Sequence, residues 1–173
     1  MTIIRKTESG GNYMKVTKTH RIIAFDQSTT CTGWAVLEKE TGKLIKYGSL
    51  TPFGETNDRI RQTIKQCLWL VEEYEVTFVF IEGIYSELNK KVFAILAKLA
   101  GSLEIMLEEK GYIVNVVSAN EWRSRVGIKS RKRVDVKKEA IETVKKIYGI
   151  TATEDEAEAI LFGRAFCDKQ EGV

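Results

Sequence analysis

The sequence predicts a single mixed α/β domain, in which a five-stranded sheet is flanked by helices. Five short runs are predicted as strands, and three of them are apolar, as expected of buried strands: residues 21–25, 76–81 and 112–117. The first three runs follow one another directly, with Thr41-Gly42 as a hairpin turn, and the later runs alternate with segments of helical periodicity. This alternation favours parallel strands joined by right-handed crossovers, and the hairpin adds antiparallel pairing.

Each strand and helix can be assigned in order along the chain. The predicted strands are residues 21–25, 33–37, 44–50, 76–81 and 112–117. The first predicted helix begins at Asn57, a residue suited to capping a helix N-terminus. The other predicted helices are residues 92–110, 134–148 and 154–168. Gly111 and Gly149 stand where two of these helices end, and glycine is favoured just past a helix end.

The composition limits the class of protein. A length of 173 residues suits one domain, and 43% hydrophobic with 29% charged residues argues against a disordered or fibrous chain. We expect residues 1–18, which show no period, to be a flexible N-terminal extension and residues 19–173 to be a single domain. The three cysteines form no C-x-x-C pair, which excludes a zinc ribbon and predicts reduced thiols in the cytoplasm. No apolar run suggests a membrane span or a secretory signal.

Two predicted strands lead directly into an acidic residue. Asp26 follows the first strand and Glu82 follows the fourth. An acid after a buried apolar run costs free energy unless it is paired or holds a cation. Because the carboxyl ends of parallel strands meet at one edge of a sheet, these two acids are expected to lie together. Structural roles remain open, since Asp26 could bond to Ser28 or Thr29 in a turn and Glu82 could pair with a lysine.

A third group of acids opens the last predicted helix. Thr153 and Glu156 have the spacing of a capping box, which gives Glu156 a structural role. Asp155 and Glu158 are spaced i, i+3 and project from one face of the helix. Acids at a helix N-terminus are also favoured by the helix dipole, an alternative that explains Asp155 more readily than Glu158.

Together, the strand ends and the helix supply four candidate metal ligands: Asp26, Glu82, Asp155 and Glu158. Oxygen-only ligands suit Mg²⁺, with Mn²⁺ as a substitute. Two such ions roughly 3.5–4 Å apart can stabilise both the attacking and the leaving oxygen of a phosphodiester displacement. The chain has one histidine, so carboxylates are the better candidates for catalysis.

Positive charge is concentrated in residues 122–146, which we call the basic segment. It holds ten basic and three acidic residues, which gives it a net charge of +7. Because the whole chain has a net charge of +3, the rest of the chain carries −4. Such a segment indicates a polyanionic partner, although a solvated lysine-rich helix is the alternative. The candidates for contacts with nucleic acid are Arg123, Arg125, Lys129, Arg131, Lys132 and Arg133. The acids and the basic segment together point to a metal-dependent nuclease.

The motifs, in their order, resemble those of the RuvC family of Holliday junction resolvases, which have a ribonuclease H-like fold. The first is Asp26-Gln-Ser-Thr-Thr-Cys-Thr-Gly-Trp34, similar to the family's acid at a strand end followed by Thr-Gly and an aromatic residue. The second is Ile81-Glu-Gly-Ile-Tyr85. Val126-Gly-Ile128 with the basic stretch after it is similar to a DNA-contacting segment, and Asp155-Glu-Ala-Glu-Ala159 is similar to the last acidic motif.

This resemblance, over residues 21–166, implies a homodimeric endonuclease for branched DNA with two metal ions per site. Asp26 would bridge both ions, Glu82 and Asp155 would each hold one, and Glu158 would complete the set or orient the water. Tyr85 would lie at the rim of the metal site and stack on an unpaired base, although a core tyrosine at the end of a strand is the alternative. Small residues on the long helix would allow two copies to approach, or would pack within one copy: Ala97, Ala100 and Gly101.

The sequence departs from the family pattern in two respects. Gln27-Ser28 stands where the family usually has Pro-Gly, and Glu158 stands in place of aspartate. These departures look like those of phage-encoded relatives, which would work in the host cytoplasm. Three alternatives stay open. Residues 25–30 resemble the phosphate loop of sugar kinases, which would make the chain a fragment of such an enzyme. The other two alternatives are a non-catalytic junction-binding protein and an RNA-processing nuclease of the same fold.

Overall fold

The computed structural model describes residues 2–5, 14–17, 19–84 and 89–168. Within these residues seven strands form: β1 (Thr2–Arg5), β2 (Met14–Thr17), β3 (Arg21–Asp26), β4 (Thr32–Glu38), β5 (Leu44–Leu50), β6 (Phe78–Glu82) and β7 (Ile113–Val117). The helices of the same residues are α1 (Thr56–Glu73), α2 (Lys90–Glu109), α3 (Ala119–Arg125), α4 (Arg133–Tyr148) and α5 (Glu154–Arg164). None of these helices is long and apolar enough to cross a membrane.

The main sheet has the strand order β5-β4-β3-β6-β7. β4 pairs antiparallel with β3 and β5, whereas β6 pairs in parallel with β3 and β7. The side chains of β3 alternate between two hydrophobic cores, and those from Ile22 to Phe25 are completely buried. One core contains residues of α1 and α2, and the other contains residues of α3, α4 and α5. The predicted mixed five-stranded sheet flanked by helices is confirmed.

Two glycines allow α5 to lie directly against the sheet. A Cβ added to Gly33 in β4 would come within 2.0 Å of the backbone oxygen of Asp155. A Cβ added to Gly163 in α5 would come within 2.5 Å of Leu37 Cδ1. Gly33 is also the register partner of Asp26 in the β3–β4 ladder. The close approach therefore brings the N-terminus of α5 to the end of β3.

The observed helix ends differ from the predicted ones at two places. α1 begins at Thr56 after Glu55, with no side-chain cap, and Asn57 Oδ1 instead accepts a hydrogen bond from Lys98 Nζ (2.9 Å). α5 ends at Arg164 rather than at residue 168 because the chain tightens there into i→i−3 hydrogen bonds. The backbone N–H of Asp168 then bonds to the carbonyl of Lys39 (2.8 Å), which joins the end of the described chain to the hairpin.

Sequence analysis also missed α3 and the first two strands. α3 is only seven residues long, and Ser118 caps it by accepting a hydrogen bond from the backbone N–H of Glu121 (3.2 Å). β1 and β2 pair antiparallel in a sheet of their own, within the segment for which we expected no regular structure. The division into a flexible extension at residues 1–18 and one domain at residues 19–173 stays a prediction.

We expect Gly33→Ala to lower the free energy of unfolding by roughly 1–3 kcal/mol, the usual cost of overpacking. The new methyl group would meet backbone atoms of Asp155, which a side-chain rotation cannot move. Gly48→Ala is the matched control, because Gly48 also lies in a strand but its added Cβ would meet only the Trp34 ring, at 3.0 Å. Thermal and urea unfolding should show the larger loss for Gly33→Ala. Equal losses would contradict a special role for the α5 contact.

Candidate active site

An open cleft of about 930 Å³ lies at the carboxyl ends of β3 and β6. Its lining includes all four acids predicted as metal ligands: Asp26, Glu82, Asp155 and Glu158. We refer to them below as the four acids. The first two are the last residues of β3 and β6, and the other two lie in the first turns of α5. The structure therefore brings the four acids to one cleft, as their positions in the sequence predict.

The capping box at the start of α5 sets which acids face the cleft. The backbone N–H of Thr153 donates to Glu156 Oε2 (2.9 Å), and the backbone N–H of Glu156 donates to Thr153 Oγ1 (3.4 Å). The predicted structural role of Glu156 is thereby confirmed. Glu158 is 6% exposed and lines the cleft instead. Two glutamates separated by one residue thus have different roles.

Burial and neighbouring negative charge raise the pKa of two of the four acids, Asp26 and Glu82. Burial raises the pKa of Asp26 well above its ordinary value, and the negative charges of Glu82, Glu158 and Asp155 raise it further. Burial also raises the pKa of Glu82, although hydrogen bonding by Trp122 works in the opposite direction. A cation among these carboxylates would offset both the free-energy cost of burying their charges and the repulsion between them.

Helix α3 supplies hydrogen-bond donors to two of the acids. Trp122 Nε1 donates to Glu82 Oε2 (2.7 Å), and Arg123 Nη2 donates to Glu158 Oε1 (3.1 Å). Trp122 is 1% exposed and its indole stacks on the ring of Phe162 in α5, with 5.7 Å between centroids. Sequence analysis missed Trp122, because no local pattern shows which residue a buried indole N–H will reach.

Asp155 lies between a lysine and a thiol. Lys137 Nζ is 3.9 Å from Asp155 Oδ1 and donates a hydrogen bond to Glu154 Oε2 (2.6 Å), which raises the pKa of Lys137. Burial, with a contribution from hydrogen bonding to Asp155, raises the pKa of the Cys31 thiol to about 11. Lys137 lines the cleft, so a lysine that composition assigns only to a basic helix belongs to the site.

The donor chemistry of the four acids fits a hard divalent cation, since it consists of carboxylate oxygens that repel one another. Within residues 19–84 and 89–168, however, no three such side chains lie close enough to hold one ion between them. Glu82 and Glu158 are instead turned to Trp122 and Arg123. To bind an ion jointly, these carboxylates would exchange part of their present hydrogen bonding for the metal.

The candidate DNA-contacting residues divide into two groups. Arg123, Arg131 and Arg133 line the cleft. The others are outside its lining: Arg125, Lys129 and Lys132. Among them, Arg125 pairs with Glu121 (3.0 Å) and lies over the ring of Phe166. Tyr85, predicted at the rim of the site, lies outside the described residues.

One carboxylate holds the loop between α3 and α4. The backbone N–H groups of Lys129 and Ser130 donate to the two carboxylate oxygens of Glu139, at 3.0 and 2.9 Å. Hydrogen bonding by Ser130 and by these backbone groups lowers the pKa of Glu139. These hydrogen bonds therefore fix to α4 the part of the loop that directly precedes Arg131.

A comparison with protein families identifies this arrangement. The family model described as crossover junction endodeoxyribonuclease RuvC matches residues 22–162, which include all four acids and the whole basic segment. The chain belongs to the RuvC family. The RuvC crossover junction endodeoxyribonuclease of Dictyoglomus thermophilum is 25% identical over 155 residues, which cover 87% of this chain and 98% of that protein.

Solved structures of resolvases share the fold. RuvC of T. thermophilus, in complex with a Holliday junction substrate, has a TM-score of 0.70 at 12% identity over 84% of this chain and 91% of that one. The yeast mitochondrial Holliday junction resolvase Ydc2 has a TM-score of 0.55 at 13% identity, over 86% and 78%. The predicted ribonuclease H-like fold of RuvC is confirmed. Membership in the family also decides against the sugar kinase alternative.

We expect Asp26→Asn to raise the melting temperature near pH 8 in the presence of a chelator. The pKa of Asp26 is higher in the folded protein than in the unfolded chain, so its ionised form destabilises the fold above the folded pKa. The gain should shrink as the pH falls toward about 4, where the wild-type carboxyl is protonated as well. Asp135→Asn, at an exposed acid of α4, should give no gain at any pH. A pH-independent effect of Asp26→Asn would contradict the assigned repulsion.

Proposed function

We propose that this RuvC family member is an endonuclease that cleaves branched DNA, Holliday junctions in particular, by metal-dependent hydrolysis. The observation that carries the proposal is the convergence of the four acids from β3, β6 and α5 on one cleft with three arginines in its lining. Acids and arginines in one cleft suit an enzyme that brings cations to a phosphodiester. The names of the relatives, which are junction endonucleases and resolvases, agree with this substrate.

In this proposal the four acids hold two Mg²⁺ ions, for which Mn²⁺ can substitute. When bound, the ions activate the attacking water and neutralise the charge that develops on the leaving oxygen. Asp26 would contribute to both ions, Glu82 and Asp155 would each hold one, and Glu158 would complete the set or orient the water. The raised pKa of Asp26 supports this assignment, because a cation would favour its ionised form.

The arginines of the cleft are proposed to bind the DNA backbone beside the metal site. Arg131 and Arg133 would reach phosphates from the lining of the cleft, and Arg123 would become available to a phosphate if Glu158 turned to a metal ion. Arg125, Lys129 and Lys132 would contact the arms of the junction farther out, since they do not line the cleft. Tyr85 is proposed to stack on an unpaired base at the branch point.

A homodimer is part of the same proposal. Two active sites related by a two-fold axis would face opposite strands of a four-way junction. The small residues of α2 would allow two copies to approach: Ala97, Ala100 and Gly101. Action on DNA is consistent with the expected cytoplasmic location, or the host cytoplasm for a phage-encoded protein.

The decisive experiment is to incubate the protein with synthetic four-way, Y-shaped and linear duplex DNA and with matching RNA in Mg²⁺, and to map the cuts. We expect paired cuts on four-way DNA that disappear with a chelator. Binding without cuts would support a non-catalytic junction-binding protein. Cuts confined to RNA would support an RNA-processing nuclease.

We expect Glu158→Gln to lower junction cleavage at least about 100-fold. Loss of a residue that only orients a metal ligand costs up to about 100-fold, and Glu158 is proposed to be a ligand itself. The substitution keeps the shape of the side chain but removes the charge that a hard cation needs. Glu156→Gln is the matched control in the same helix, and it should leave cleavage close to that of the wild type because Glu156 serves the capping box. Both variants should bind the junction normally in a chelator. Loss of cleavage in the control alone would contradict the assignment of the two glutamates.

We expect the double variant Arg131→Glu and Arg133→Glu to weaken junction binding. The log–log dependence of affinity on salt should become shallower by about 0.9 for each phosphate contact that is lost. The control Lys145→Glu and Lys146→Glu makes the same change in net charge at exposed residues in the last turn of α4. Fluorescence anisotropy against salt should separate the pairs. Equal weakening by both would indicate a general charge effect rather than contacts at the cleft.

A further inference from the structure

The side chain of Gln27 continues the sheet where its backbone pairing stops. The parallel ladder between β3 and β6 ends at the pair Phe25 and Ile81. One residue farther along β6, the backbone N–H of Glu82 donates to Gln27 Oε1 (3.1 Å), and the carbonyl oxygen of Glu82 accepts a hydrogen bond from Gln27 Nε2. The amide of Gln27 thus occupies the place that a further peptide of β3 would take.

On its other side, β6 is hydrogen-bonded to β7 at the same point along the strand. Glu82 is the register partner of Val117 in β7, and the backbone N–H of Gly83 donates to the carbonyl of Val117 (2.8 Å). The peptide groups around Glu82 are therefore fixed from β7 on one side and from Gln27 on the other. Since Gln27 directly follows Asp26, its side chain ties together the strand ends that carry two of the four acids.

Glutamine is suited to this position by its length and by its two functional groups. Gln27 is 6% exposed, so removing its amide would leave a buried N–H and a buried carbonyl of Glu82 without these partners. Asparagine is shorter by one methylene, and methionine has a similar length but no amide. Neither can reproduce both hydrogen bonds.

We propose that Gln27 is a positioning residue, which fixes the separation of Asp26 and Glu82 and thereby sets the affinity of the site for its metal. The inference rests on the proposed function, in which these two acids share an ion. Gln27 itself touches neither the metal nor the DNA in this proposal. Its effect passes through the backbone of Glu82.

The chain contains a second glutamine with the same pair of bonds, away from the cleft. The backbone N–H of Phe53 donates to Gln62 Oε1 (3.4 Å), and the carbonyl of Phe53 accepts from Gln62 Nε2 (2.9 Å). Gln62 lies in α1 and joins that helix to the loop before it. Gln62→Met therefore removes the same two hydrogen bonds as Gln27→Met, without a connection to the four acids.

The test measures binding of Mn²⁺ alone, by electron paramagnetic resonance, to the full chain and to four variants: Gln27→Met, Gln27→Asn, Gln62→Met and Asp26→Asn. We expect both Gln27 variants to bind Mn²⁺ roughly 10–100-fold more weakly, the range found for residues that orient metal ligands. Gln62→Met should bind Mn²⁺ like the wild type. Junction affinity in a chelator should be unchanged in all of them except Asp26→Asn, where it stays equal or rises.

The outcomes separate the inference from the proposed function. Circular dichroism and melting temperature establish that each variant is folded, and Gln27→Asn serves if Gln27→Met is not. Folded Gln27 variants with the Mn²⁺ affinity of the wild type would overturn the positioning role, even if their melting temperatures fall. Full Mn²⁺ binding and cleavage by Asp26→Asn would instead overturn the proposed metal site itself.

Discussion

The direct contact between α5 and β4 is the constraint on which the site depends. Gly33 has no side chain to separate the strand from the backbone of Asp155, and it pairs with Asp26 in the adjacent strand. Because α5 carries two of the four acids, any wider spacing between helix and sheet would move both away from the strand ends. A glycine at this position near the start of β4 is thus required by the geometry of the site as much as by the packing.

Bringing four carboxylates to one cleft has an electrostatic cost, and α3 offsets part of it. Trp122 and Arg123 donate to one acid each, while Lys137 of α4 lies near a third. These donors come from elements other than those that carry the acids. The cleft therefore combines acids from β3, β6 and α5 with donors from α3 and α4. The hydrogen bonds from α3 also hold Glu82 and Glu158 in defined positions in the absence of an ion.

The sequence predicts those parts of the site that local patterns determine. Asp26 and Glu82 follow apolar runs, and the spacing of Thr153 and Glu156 is that of a capping box, so strand ends and helix start were both predictable. The role of Trp122 was not, because its partner is 40 residues away in sequence and α3 is too short to show a period. The early end of α5 also depends on a distant contact, between its C-terminal turn and the hairpin.

The carboxylate of Glu139 has a consequence for how the loop between α3 and α4 would contact DNA in the proposed function. Two neighbouring backbone N–H groups can make a directional anion site, and in this loop the carboxylate of Glu139 already fills it. A phosphate that approaches this loop meets guanidinium groups on long side chains rather than fixed amides. If this loop contacts DNA as proposed, such groups would adjust to strands that leave a branch point in different directions, because the fixed amides are already occupied by an internal anion.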